Sequence, residues 1–259
     1  MIDSSLIAFV NLLADASGDI IRRYFRHTPQ TESKSDLTPV TIADKETETI
    51  LRTLIQQHYP QHGIAGEEFP PHQGDAEWLW VLDPIDGTKS FIAGRPWFAT
   101  LIGLTHRGDP VLGVIDQPIT HERWIGDPQR SCTLNNQPTR TSGCTQLAEA
   151  IIATTGPTYF NEEDWQRYQH IMRLCRFPIW GGDCYNYAML ATGTVDLVIE
   201  SGLKPHDMMA LAAVVNASGG FCCDWQGTPI TYSSSDRIIA AATKELALLA
   251  QMELAQKLL

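Results

Sequence analysis

Apolar residues recur three and four apart at Leu6, Phe9, Val10, Leu13, Ile20, Ile21 and Tyr24, with Asp3, Asn11, Asp15 and Asp19 on the polar side. That period predicts an amphipathic helix ending near Arg26, followed by a polar loop. After Pro39 the helical period returns over residues 43–58, with Asp44 and Glu46 in the first turn, where the positive end of the helix dipole favours acids. Pro60 closes this helix, so His58 and His62, although four apart, read as a helix end and not a metal pair. From Trp78 the pattern changes to short apolar runs, LWVLD, FATLIGLTHR, PVLGVIDQP and ERWIG, punctuated by Gly94, Gly108-Asp109 and Asp127-Pro128. Successive strands with short turns predict an antiparallel sheet. Beyond about residue 143, strand patterns (AIIATT, RFPIW, VDLVIE, RIIAAAT) alternate with helical ones, near residues 162–174, 184–192, 206–217 and at the end of the chain, which predicts a layered α/β half.

Composition sharpens this only in part. At 259 residues, 43% hydrophobic and 19% charged, the chain has material for one large core or two packed halves. The net charge is −11, and arginines such as Arg22, Arg23, Arg26, Arg107 and Arg123 are scattered, so a nucleic-acid partner is not expected. The aspartates of the first helix interrupt any signal-like apolar run, and no window suggests a membrane span, so neither secretion nor a membrane partner is expected. Cys132, Cys144, Cys175, Cys184, Cys222 and Cys223 form no CxxC pair, which fits reduced thiols and a cytoplasmic protein.

The most informative segment is WVLDPIDGTKSF. Asp83 and Asp86 flank a turn that Pro84 stiffens, and Gly87 gives an anion access to the amides that open the next helical turn. A plain DPxDG turn, with aspartates bonded only to local backbone, is the alternative. It weakens because GEE at Gly66, Glu67 and Glu68 precedes it and PHD at Pro205, His206 and Asp207 follows it, each at an element end. Converging carboxylates repel, by about 4 kcal/mol for a pair ~4 Å apart at an effective dielectric near 20, so cations are required. Oxygen donors favour a hard ion, magnesium before zinc.

These segments, GEE, DPIDGTKSF and HDMMALAAVVNASGG, resemble the signature regions of the inositol-monophosphatase superfamily, and the resemblance runs through nearly the whole chain. It implies a layered αβαβα sandwich of the inositol-monophosphatase/fructose-bisphosphatase type, with an N-terminal α+β half over residues 1–142 and a C-terminal α/β half over residues 143–259. It further implies a phosphomonoesterase using two or three magnesium ions. Glu67, Asp83 and the Ile85 carbonyl would hold one, and Asp83, Asp86 and Asp207 another. Asp44 and Thr88 resemble the pair that orients the attacking water, with Glu67 beside them in the catalytic set, while the amides of Gly87 and Thr88 would bind phosphate. His206 departs from the family, standing where many relatives have Trp, and is expected to alter the packing support of Asp207.

The spelling DGTKSFIAGRPWFATLIGL with GGDCYNY resembles the histidinol-phosphatase branch, which implies histidinol phosphate as substrate, a place in histidine biosynthesis, and a homodimer. Asp183 and Glu200 would then recognise the substrate's positive charges. Three alternatives remain open: an inositol monophosphatase, in which Glu200 grips sugar hydroxyls; a 3'(2'),5'-bisphosphate nucleotidase, which shares Lys89; and a catalytically silent regulatory homologue. Asp183 also admits a plainer role, capping the helix that begins at Cys184.

Overall fold

A computed structural model describes residues 4–27, 31–33, 39–129 and 131–256. The chain opens with α1 (Ser4–Tyr24), then β1 (Thr31–Ser33) and β2 (Pro39–Thr41), a short antiparallel pair in the region expected to be loop, and then α2 (Ile42–His58). β3 (Gly63–Gly66), β4 (Trp78–Asp86), the single turn α3 (Thr88–Ile92), β5 (Ala99–His106), β6 (Asp109–Gln117), β7 (Glu122–Asp127), β8 (Ser131–Leu134) and β9 (Gln137–Thr139) follow. These strands form one seven-stranded sheet in chain order, antiparallel as expected except for the parallel β3–β4 pair.

The remaining elements are β10 (Ile151–Thr154), α4 (Glu162–Leu174), β11 (Phe177–Trp180), α5 (Tyr185–Ala191), β12 (Leu197–Glu200), α6 (Pro205–Ala217), β13 (Phe221–Cys223), β14 (Ile238–Ala241) and α7 (Lys244–Leu254). Five strands make a mixed sheet in the order β11-β10-β12-β14-β13.

Alternation along the strands sorts most apolar side chains into three cores that define five layers, with a smaller fourth cluster of Ile21, Phe25, Ala43, Ile85, Phe91 and Phe98 beside them. On β4, Trp80 and Leu82 join Phe9, Val10 and Leu13 of α1 and Leu51 and Ile55 of α2. Leu79 and Val81, one residue out of phase, face the other way onto α5 and α6. That second core continues to Ala153, Val198 and Ala240 of the five-stranded sheet. Ile152, Leu197 and Ile239 on its far face pack with Tyr168 and Ile171 of α4 and Leu246 and Ala250 of α7. The sequence of layers is α1/α2, large sheet, α5/α6, small sheet, α4/α7, the αβαβα sandwich that the resemblance implies.

The middle helix explains why its sequence has no polar stripe: α6 lies between two sheets, and Met208 to Val215 are all buried. It also lies close. A Cβ on Gly113 would sit 2.3 Å from the carbonyl oxygen of Ala210, and one on Gly126 would sit 2.5 Å from Cα of Val214. α1 is, by length and composition alone, long and apolar enough to cross a membrane, but its apolar face is buried against α2 and the large sheet.

Candidate active site

β4 is longer than expected, running through the DPID segment instead of ending before a turn. Asp83 pairs with Leu101 and Asp86 with Ala99, so β4 spends three steps where β5 spends two. In an unbroken strand residues three apart point to opposite faces; one extra residue restores Asp86 to the side of Asp83. Pro84 suits the bulge because it has no N–H to leave unpaired, and its carbonyl accepts the Thr100 hydroxyl at 2.8 Å. Gly87 follows with φ 90, and a Cβ there would stand 2.7 Å from the Trp97 carbonyl oxygen, so both conformation and space call for glycine. The Thr88 hydroxyl donates back to the Ile85 carbonyl at 3.0 Å.

Glu67 reaches the site from the end of β3 through a residue that sequence reasoning missed. Glu48 of α2 accepts from the backbone N–H of Glu68 (2.7 Å), from that of Phe69 (3.3 Å) and from Arg52 Nε (2.7 Å), pinning the GEE loop. A Cβ on Gly66 would collide with the Glu48 carboxylate. From the opposite side, the first turn of α6 supplies His206 and Asp207; Asp207 Oδ2 accepts the Lys204 N–H at 2.6 Å. Two ligand groups result, Asp83 with Asp86 and Asp207, and Glu67 with Asp83 and His206, each with its donor atoms within 4.8 Å of one another.

Burial and crowding leave these acids unable to ionise together without help. Asp83 is 2% exposed, and burial first, then Glu67, Asp86, Asp207 and Asp44, push its carboxyl well above the ordinary range. Burial and then Asp207 and Asp183 do the same to Asp86. Asp207 is raised by burial and only partly relieved by His206. Asp83 Oδ1 is buried without a hydrogen-bond partner. A crowded set of oxygen donors with an orphaned carboxylate oxygen fits a hard divalent cation, whose charge offsets both the repulsion and the desolvation.

The cavity, about 170 Å³, is lined by Glu67, Asp83, Ile85, Asp86, Gly87 and Thr88 on one side and by Thr155, Tyr159, Asp183, Tyr187, Glu200, Lys204 and His206 around the rest. Asp44 is not among the lining residues; it is buried on α2 and acts on Asp83 electrostatically. Asp183 does not cap α5, because the Cys184 N–H donates to Asp86 Oδ2 at 2.7 Å. Gly181, Gly182 and Asp183 form a run of left-handed residues (φ 80, 111 and 45), and Asp183 accepts the Ser90 hydroxyl at 3.0 Å. Glu200, 5% exposed, accepts the Thr155 N–H (2.9 Å) and hydroxyl (2.5 Å) and the Tyr187 hydroxyl (2.8 Å). Burial nevertheless lifts its carboxyl to about 7. Lys89 is turned to Tyr159, 3.0 Å from its hydroxyl and 4.6 Å from the ring centre. Tyr159 and Thr155 carried no motif signal, and Tyr187, although it ends the GGDCYNY run, drew no role from it, since their place in the wall depends on the second sheet meeting the first.

A family model described as the inositol monophosphatase family matches residues 3–257. Among curated relatives, the chain is 47% identical over 234 residues to the bifunctional phosphatase IMPL2, chloroplastic, of Arabidopsis thaliana, spanning 90% of this chain and 68% of that one. It is 32% identical to the histidinol-phosphatase of Chlorobaculum parvum, with 83% and 84% coverage. Among solved structures, an inositol monophosphatase from Zymomonas mobilis superposes with a TM-score of 0.89 at 42% identity, covering 97% of this chain and 98% of that one.

Proposed function

The chain belongs to the inositol monophosphatase family, and from that premise we propose that it is a magnesium-dependent phosphomonoesterase whose substrate is histidinol phosphate, acting as a cytoplasmic homodimer. The phosphatase assignment follows the family; the substrate rests chiefly on one observation. Asp183 lines the cavity beside the metal-ligating cluster, where, after burial and Asp207, it helps raise the Asp86 carboxyl. It is held by Ser90 on a loop of three left-handed residues, so a carboxylate adjoins the space that the alcohol portion of the ester would fill. A cationic alcohol complements it. The likeness to the Chlorobaculum parvum histidinol-phosphatase points the same way.

In this reading Glu67, Asp83 and the Ile85 carbonyl would hold one divalent cation, and Asp83, Asp86 and Asp207 would hold magnesium. Bound magnesium lowers the pKa of coordinated water and neutralises charge on the phosphate. The protein's own residues do the positioning. The amides of Gly87 and Thr88 receive phosphate oxygens at the start of α3, and the Thr88 hydroxyl, with Asp44 behind Asp83, orients the attacking water. Water attacks phosphorus, the ester P–O bond breaks, and the alcohol leaves with a proton. Asp183 binds the substrate's ammonium or imidazolium. Glu200, its oxygens engaged by Thr155 and Tyr187, shapes the wall more than it grips the ligand.

A panel of histidinol phosphate, inositol phosphates and 3',5'-bisphosphate nucleotides, assayed under one magnesium concentration, tests the assignment. The expected outcome is the highest kcat/KM for histidinol phosphate. A preference for inositol phosphate, the substrate class that the Zymomonas mobilis likeness favours, overturns the substrate while leaving the phosphatase intact.

A further inference from the structure

His206 stands second in α6, directly after Pro205, with its ring mostly buried (15% exposed). Its Nε2 lies 3.5 Å from Asp207 Oδ1, longer than the ~2.7–3.2 Å of an ordinary N–H···O bond, so the neighbouring acid does not claim it as a hydrogen bond. Across the cavity the ring meets Glu67 and Asp83: an imidazole nitrogen and one oxygen from each acid lie within 4.8 Å of one another. Ligand bonds of ~2.1 Å place opposite donors ~4.2 Å apart, so the three donors span about the distance that one ion bridges. Asp83, whose Oδ1 is buried and unpartnered, supplies an acceptor already aimed at cation binding.

As a deepening of the metal reading above, on which it rests, we propose that His206 is itself a metal ligand. It makes the position held by Glu67 and Asp83 a mixed nitrogen–oxygen site that favours a first-row transition ion over magnesium, with manganese(II), the weakest binder of that row, as its paramagnetic probe. Magnesium keeps to oxygen donors, whereas imidazole suits iron, nickel, copper and zinc, whose affinity for such sites exceeds that of manganese(II). Its polar neighbours on this side are acids: Asp207 at 3.5 Å, and Glu67 and Asp83 in the same donor group. The second group, Asp83 with Asp86 and Asp207, offers oxygen alone and remains a magnesium site.

Pulsed electron paramagnetic resonance on metal-stripped protein with one equivalent of Mn²⁺ reads the ligand directly. Nitrogen-14 modulation of a coordinated imidazole is expected in the wild type, and its loss in His206→Phe and His206→Asn. In the same variants the ratio of Mn²⁺ to Mg²⁺ affinity, from titration calorimetry, should fall at least about tenfold. Bound Mn²⁺ without nitrogen modulation in the wild type overturns the inference, whether or not the variants fold, and so does an affinity ratio that the substitutions leave unchanged. Failure of the protein to bind either ion sinks the metal reading as well.

Discussion

Asp83 concentrates the electrostatic cost of the site: it is buried, belongs to both ligand groups, and is pressed by four other acids. Asp83→Asn removes a charge from that crowd while keeping the side chain's shape. Turnover with magnesium should fall at least about a hundredfold, while the metal-free variant should melt no lower than the metal-free wild type in a thermal scan. Glu200 makes a different prediction, because its carboxyl is lifted from 4.5 to about 7 in the folded protein. The folded state then holds a proton that the unfolded chain releases, so stability from this residue is intact below pH 4.5 and is lost as pH rises towards about 7. Glu200→Gln, which retains an acceptor for Thr155, should therefore gain on the wild type across that interval in urea melts, with no difference at the acidic end. Asp183→Asn should lower kcat/KM for histidinol phosphate by about ten- to a hundredfold, the loss of one charge-assisted hydrogen bond of ~1.5–3 kcal/mol, and leave an uncharged ester nearly unaffected.

At the scale of elements, the site depends on two devices: the bulge that returns Asp86 to the face of Asp83, and the close seat of α6 on the large sheet. Gly113→Ala would drive a methyl into the Ala210 carbonyl. It should cost ~1–3 kcal/mol in denaturant unfolding and weaken metal binding too, since α6 carries Asp207. The long elements were legible: α4 falls where the apolar spacing puts it, at Glu162–Leu174, and α6, which has no polar stripe, where a long apolar run follows Pro205, at Pro205–Ala217. What failed was short or set by tertiary contact. Pro84 reads as a turn residue, and only pairing with β5 shows that it sits in a strand. β8 and β9, with SCTL and QPT, and the three-residue β13 carry too little alternation to stand out. Glu48 was invisible because its role lies 20 residues away, at the Glu68 amide. The carboxylates were found because their residue types are chemically costly together, which no local propensity explains away.

For the whole molecule, the ligands come from separate layers: Asp83 and Glu67 from the large sheet, Asp207 from the middle helices, Asp183 and Glu200 from around the small sheet. Packing these layers forces the acids together, so a divalent cation should stabilise the entire fold and not one loop. The central claim is that this cluster makes the chain a metal-dependent phosphatase. Its most direct test is phosphate release from histidinol phosphate by metal-stripped wild type and Asp83→Asn, each before and after magnesium is restored. The account predicts release only from wild type with magnesium. Equal release from stripped wild type, or from Asp83→Asn, would contradict it.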